Sequence, residues 1–552
     1  MKKNTMATAI IAGLAGVAGV ANISTAVNIN PDGVGQVLIY PYYTVNGGNT
    51  TAISVVNTTE HGKAVKVRFK DARNSREVLD FNLYLSGYDV WTAGIFQTSD
   101  TSAANIVVGT GGVGPNGQDS TCTVPNLLGN GIFVMPSLPD GRAYFPFRTT
   151  FFTDFSTAGL NTAAVSRTRD GYVEMIEMGT ILNDTFFGEM LTHGQSPGTG
   201  PSFPPPGCDV LERAWLASGT GVGTGVWFNN SNIDLSPPTG GLFGGAAIVD
   251  VADGTYINYN AEAIDGFSAA ILHTNPSTQF PNLADANSAT PGVVTSYVFD
   301  RGRLITSNWL TSSRRGVDAV SAVLMREAVF NEYDVDPALG SASEWIVTFP
   351  TRDQYVTSSS AARAPFTLGW AAPLSGVCER VSGRIYNREE DTFRIFDFSP
   401  QLGQTQICWE ANPLWFTRTA AGANASSPIF GAPGLSGSVP SLWAGVPTFL
   451  TLFGQLQKTY NNGWFWLGFY DEDAIDTAGR PAPLLRPSLD ETGHATGTQP
   501  DRYYGLPAVG FWALRVLNVN QGAGLQASYG GAYPHRASRA CFKSAFGATP
   551  CD

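Results

Sequence analysis

Residues Lys63 to Phe69 read Lys-Ala-Val-Lys-Val-Arg-Phe, with Val65, Val67 and Phe69 in one phase and Lys66 and Arg68 in the other. Period two marks a strand with one face in a core and the other in water. Val78 to Leu85 repeats the pattern with Leu79, Phe81, Leu83 and Leu85 in phase, and Tyr172 to Met178 places Tyr172, Glu174, Ile176 and Met178 on one side. Further strands are expected at Gln36–Tyr43, Thr50–Asn57, Asp89–Phe96, Glu344–Pro350, Thr448–Phe453, Trp464–Tyr470, Phe511–Val519 and Leu525–Tyr529. Pro41 interrupts the first of these and belongs at an edge or a bulge. Ala246–Val251 and Tyr256–Ala261 flank an Asp253-Gly254 turn and read as a hairpin.

Helical spacing is scarce. Leu211–Trp215 predicts a short helix, and Val317, Val320, Val323, Leu324 and Phe330 predict a longer one over Gly316–Tyr333. The fold expected is therefore mainly β: antiparallel β-sandwich domains, immunoglobulin-like in general architecture, with long loops and few short helices.

The first residues form no part of that fold. Lys2 and Lys3, a small-residue apolar stretch from Ala7 to Val20, and Ser24-Thr25-Ala26 make a secretory signal over residues 1–26. Its apolar core is too short to span a bilayer, and no membrane-spanning segment is expected after it. The alternating strands also raise an outer-membrane barrel, but irregular spacing and long Gly/Pro loops oppose it. Gln195–Gly207 (Q-S-P-G-T-G-P-S-F-P-P-P-G) predicts a linker, which gives a 27–194 N-terminal sandwich, a 208–360 middle domain and a 361–552 C-terminal domain.

Charged residues make up 14% of the 552-residue chain, and the net charge of −12 falls to −14 once Lys2 and Lys3 are lost. An acidic surface opposes nucleic acid as a partner. Six cysteines in an exported chain imply disulfides, and pairing in sequence order gives Cys122–Cys208, Cys378–Cys408 and Cys541–Cys551.

Chemistry-bearing patterns are sparse. No His-Glu-x-x-His, no Gly-x-Ser-x-Gly elbow and no phosphate cradle occurs, and the five histidines read as surface or loop residues. Glu174 and Glu177 fall on opposite faces of a strand, which is poor geometry for a glycosidase pair. The carboxylates of Asp471, Asp473 and Asp476 are dense enough for calcium without an EF-hand frame, and Glu332, Asp334 and Asp336 are a second such group. No other cofactor is implied. Trp464 and Trp466, with Tyr470, are candidates for a sugar-stacking platform, against the alternative of core packing.

Gly35–Tyr43 (G-Q-V-L-I-Y-P-Y-Y), Ile53–Asn57 (I-S-V-V-N), Val78–Asn82 (V-L-D-F-N) and Trp345–Pro350 (W-I-V-T-F-P) together resemble exported envelope or surface proteins of Gram-negative bacteria that carry no assigned activity. The resemblance implies no active residues. The expectation is a secreted protein of the outer cell surface or periplasm, structural and non-catalytic, which associates with itself or with other envelope proteins. The alternatives are an extracellular hydrolase of polysaccharide or polyester and a carbohydrate-binding protein with a glycan partner. Exposed Trp464 and Trp466 favour the binding module, and a Ser–His pair at hydrogen-bond range favours the hydrolase.

Overall fold

A computed structural model describes residues 26–129, 135–150, 165–195, 202–311, 313–358, 361–367, 379–394, 405–407, 409–417, 426–431, 448–451, 460–470, 486–518, 527–543 and 549–551. The chain is mainly β, and its sheets are almost wholly antiparallel. The first sandwich has an eight-stranded sheet whose main path runs Asn28–Ile29, Glu262–Asp265, Val37–Thr44, Asp170–Ile181, Gly62–Asp71, Glu77–Leu85, Cys122–Val124. A six-stranded sheet faces it, in the order Thr255–Asn260, Leu242–Asp250, Asn49–Asn57, Val90–Gln97, Ala104–Val108, Tyr144–Pro146. Leu38, Val67, Phe69, Phe81 and Leu83 from the first meet Ile53, Val55, Trp91, Ile95 and Ile248 from the second. Gly244 keeps the layers close: a Cβ there would lie 2.1 Å from Tyr40 Oη, which donates to Ser54 O at 2.7 Å.

A second pair of sheets follows. Glu379–Asn387, Asn462–Gly468 and Ala328–Asp334 form the centre of one sheet, and Ala411–Thr417, Ser341–Thr348 and Val509–Val516 the centre of the other. Trp345, Phe416 and Phe465 pack between them, with Tyr333 stacked on Phe416 at 5.0 Å.

The expected boundaries at 195–207 and 360 do not separate these sheets. Leu242–Asp250 pairs along its whole length with Asn49–Asn57, and Glu262–Ile264 pairs with Val37–Ile39. Ser341–Thr348 pairs with Val509–Val516. Strand pairing is long-range, and local composition does not report it. The two halves also interlock. Thr348 Oγ1 donates to Pro41 O at 2.6 Å, and the amides of Glu410 and Ala411 both donate to Ala72 O. Pro41 sits in a central strand, at a register shift opposite Gly171–Val173, so the bulge accommodates it.

The helix expected over 316–333 is shorter. Arg315–Leu324 is helical and buries Val317, Val320, Val323 and Leu324, but Phe330 lies in the Ala328–Asp334 strand, paired with Trp466. Tertiary pairing of Val329–Tyr333 overrides the helical spacing. The short helix at Cys208–Ala214 matches its expectation. Cys122–Cys208 and Cys541–Cys551 are bonded, with Cα atoms 5.0 and 5.4 Å apart, while Cys378 and Cys408 lie outside the described residues. No described helix is long and apolar enough to cross a membrane.

The largest departure concerns Lys66 and Arg68, expected in water. Every residue of Gly62–Asp71 is buried. Lys66 Nζ meets Asp80 Oδ2 at 2.6 Å and Pro276 O at 2.7 Å. Arg68 Nε meets Glu77 Oε2 at 2.8 Å, and Lys70 Nζ lies 3.1 Å from Glu174 and 3.2 Å from Asp353. Lys63 Nζ reaches Glu177 Oε1 at 2.8 Å, and the amides of Thr239 and Gly240 also donate to that carboxylate. Residues 238–240, 274–276 and 353 cover a face that would otherwise be wet. Removing one partner strands a buried charge, which costs about 3–5 kcal/mol. Lys63→Met is therefore expected to lower the unfolding free energy by about that amount in urea melts at pH 7, whereas replacing the exposed Asp32 leaves it within about 0.5 kcal/mol.

Candidate functional site

The six-stranded sheet turns alternate residues away from the core, and on this face the polar phase carries no charge. Asn49–Asn57 presents Thr50, Ala52, Ser54 and Val56, and Val90–Gln97 presents Val90, Thr92, Gly94 and Phe96. Direct register aligns Asn258, Ala247, Ala52, Gly94, Val107 and Tyr144 in one row across all six strands. That row of mostly small side chains forms a shallow trough. Tyr256, Val249 and Thr50 stand along one side of it; on the other, Gly245, Ser54 and Thr92 widen it before Phe243, Val56 and Val90. Tyr256 is 57% exposed, Val90 50% and Phe243 42%. A six-stranded exposed face without an acid or base is unusual on a chain of net charge −12.

The edges of this sheet are closed to further strands. Thr255–Asn260 lies against Tyr529–Pro534 of the second sandwich, where Gly530 lets Ile257 approach. The opposite edge strand, Tyr144–Pro146, is three residues long and ends in proline. Among the described residues, the flat face is what this sheet leaves open to contact.

Trp464, Trp466 and Tyr470 come together on one face of the other sandwich. Trp464 is 41% exposed and stacks on Tyr386, with ring centroids 4.2 Å apart and planes 3° from parallel. Trp466 is half-buried, meets Tyr470 edge-on at 5.5 Å, and lies 5.9 Å beneath the Arg384 guanidinium. Trp464 is thus engaged by its cross-strand partner Tyr386, and Trp466 by its cross-strand neighbour Arg384 and by Tyr470 further along its own segment. Asp471, Asp473 and Asp476 lie outside the described residues. Asp334 and Asp336 accept the amides of Asp336 and Ala338 at 2.9 Å each and so cap a turn. Asp501, Cys541 and Cys551 lie within ligand distance of one another, but both sulfurs are in a disulfide and Asp501 pairs with Lys543 at 3.0 Å. Glu174 and Glu177, too, are held by cations.

The histidines are not all at the surface. His273 is buried, hydrogen-bonded to Ser231 O and Tyr84 Oη, and burial lowers its pKa to about 4. His535 donates from Nε2 to Ile346 O at 2.9 Å, and its ring packs on Trp345.

His193 bridges two serines. Register pairs Tyr84 with Cys122, which places Ser86 and Ser120 opposite each other two residues further along. His193 Nδ1 lies 3.3 Å from Ser86 Oγ, and Nε2 lies 3.3 Å from Ser120 Oγ. Asp89 stands 3.8 Å from Nδ1 and is engaged by the amides of Ser86 and Val90 at 3.1 and 2.8 Å. Burial raises the Asp89 carboxyl, and His193 opposes that rise. A triad needs the carboxylate, not a second hydroxyl, to orient the imidazole. Ser120 is also only 5% exposed. The arrangement is a clasp that fastens the end of the Phe186–Leu191 helix to the sheet.

No protein-family model, curated protein or solved structure matches this chain. The uncharged face escaped the sequence reading although its signal was there: Thr50–Asn57 alternates as strictly as Lys63–Phe69, yet its outer phase holds Thr, Ala, Ser and Val.

Two outcomes follow for the buried groups. A fluorophosphonate probe is expected to leave the native protein unlabelled, and Ser120→Ala to change nothing in that assay; labelling lost on Ser120→Ala would identify a nucleophile. Glu410 is fully buried, neither carboxyl oxygen has a hydrogen-bond partner among the described residues, and burial, opposed by Arg352, raises its pKa. A raised carboxyl binds protons in the folded state that the unfolded chain has released, so stability declines as pH rises above about 4.5. Asp170 and Glu344, both raised to about 7, act in the same direction. Glu410→Gln should shrink the loss of stability between pH 5 and pH 8 by more than about 1.4 kcal/mol in paired denaturant melts.

Proposed function

We propose that this chain is an exported, non-catalytic structural protein of a Gram-negative cell envelope, and that it assembles by packing the outer face of its six-stranded sheet against the same face of a second copy. The observation that carries the reading is the row Asn258–Ala247–Ala52–Gly94–Val107–Tyr144, an outward-facing surface, buried within the row at Ala247 alone, with no charge to desolvate. Six strands about 4.8 Å apart and some six residues long cover roughly 600 Å² per copy. Two copies bury about 1,200 Å², the lower end of the range for specific interfaces. Small side chains let two sheets approach to about 10 Å, the spacing of sandwich layers. Closed edges favour this face-to-face mode over strand addition, and a contact between identical faces satisfies two-fold symmetry.

Sedimentation of the mature chain tests the proposal. Concentration-dependent association is expected, with Ala52→Lys and Ala52→Glu each weakening it at least tenfold, because Ala52 lies near the centre of the face. Mixing the two variants restores association, since opposite charges then meet across the contact. A wild type that stays monomeric into the high-micromolar range, or variants that associate as well as it does, overturns the proposal.

A further inference from the structure

A groove of about 440 Å³ opens at the far end of the eight-stranded sheet, away from the uncharged face. Its floor is Trp215, Trp227 and His273, and its walls are the 228–231 turn and the 274–278 loop. The floor is rigid. His273 holds Ser231 O at 2.7 Å through Nδ1 and Tyr84 Oη at 3.0 Å through Nε2. Tyr84 Oη accepts from Trp215 Nε1 at 3.0 Å, and Trp227 Nε1 donates to Ile233 O at 3.1 Å. With both ring nitrogens engaged and its pKa lowered to about 4 by burial, His273 adds no charge at neutral pH.

Apart from His273, which is neutral at pH 7, none of the ten lining residues is an acid or a base. The polar groups on the walls are set by their own turns. Asn230 Oδ1 accepts from the Asn232 amide, and Asn275 Oδ1 accepts from the Ser277 amide and hydroxyl. Those N–H donors fix the orientation of each carboxamide, so both NH2 groups are left to donate elsewhere. Asn229 is turned the other way: its NH2 donates to Gly225 O at 2.8 Å, and its Oδ1 is the outward acceptor. Phe228, 53% exposed, supplies an apolar ring beside them.

We propose that this groove binds a neutral saccharide residue, with an apolar sugar face on Phe228 and ring hydroxyls on the amides of Asn230 and Asn275 and the carbonyl of Asn229. A polyol with one C–H face is the ligand class that uses an aromatic ring and fixed neutral donors and acceptors together. A carboxylated sugar gains no cationic partner here and loses hydration on entry. The site is independent of the assembly face, so either can fail alone.

Saturation-transfer NMR tests it on the full mature chain, with N-acetylglucosamine, galactose, cellobiose and glucuronate as probes. At least one neutral probe is expected to bind with millimolar or tighter affinity and glucuronate at least tenfold more weakly. Phe228→Ala, at an exposed position, is expected to weaken the neutral probe at least tenfold. Asn275→Asp keeps the acceptor that caps the turn and replaces the NH2 donor with a charged carboxylate oxygen, and it should weaken binding severalfold. Ala52→Lys should leave binding unchanged. No transfer from any neutral probe, equal binding of glucuronate, or full binding by Phe228→Ala overturns the proposal.

Discussion

Four cations along one strand, Lys63, Lys66, Arg68 and Lys70, are out of water, and the rest of the first sandwich is arranged around them. Each needs a carboxylate, and the partners come from three separate places: Glu77 and Asp80 on the next strand, Glu174 and Glu177 on the strand from 170 to 181, and Asp353 far along the chain. An apolar face tolerates many neighbours, but a buried ammonium tolerates few. The ladder therefore sets which strand lies beside which, and it requires residues 238–240 and 274–276 to seal it. It also ties the second pair of sheets to the first through Lys70 and Asp353.

This sealing divides the two outer faces of the sandwich by chemistry. One holds the charges and is covered, and the other is exposed and holds none. The acidic surplus of the chain therefore lies elsewhere on the surface, and the neutral sheet can approach a like surface without long-range repulsion from its own groups. The uncharged groove beside Trp215 lies behind the covered face, on the loops that seal it.

Much of the β structure was legible in sequence. Lys63–Phe69, Val78–Leu85, Tyr172–Met178 and Glu344–Pro350 all lie in strands, because alternation is a local signal. Two of the disulfides, Cys122–Cys208 and Cys541–Cys551, match pairing in sequence order. The pairing of Val37–Thr44 with Glu262–Asp265 was not legible, since nothing within either segment names its neighbour. Lys66 and Arg68 misled for a related reason: alternation tells which side a residue faces, not whether another part of the chain will cover that side. Phe330 fitted a helical period and still joined a strand, because Trp466 and its neighbours offered a ladder. The candidate surfaces were harder still. Their signal is a missing charge in one case, and in the other a meeting of loops more than forty residues apart.

The insertion of Glu262–Asp265 between Asn28–Ile29 and Val37–Thr44 has a consequence for how the molecule is made. Synthesis proceeds from the N-terminus, so the early strands emerge some two hundred residues before the strand that completes their sheet. Until it arrives, the Val37–Thr44 edge is unpaired, and the cover of Lys66 and Lys70, residues 274–276 and Asp353, emerges later still. A growing chain in that condition invites the wrong partner, and a helper that holds it open until residue 265 has cleared the ribosome would serve it better than early collapse.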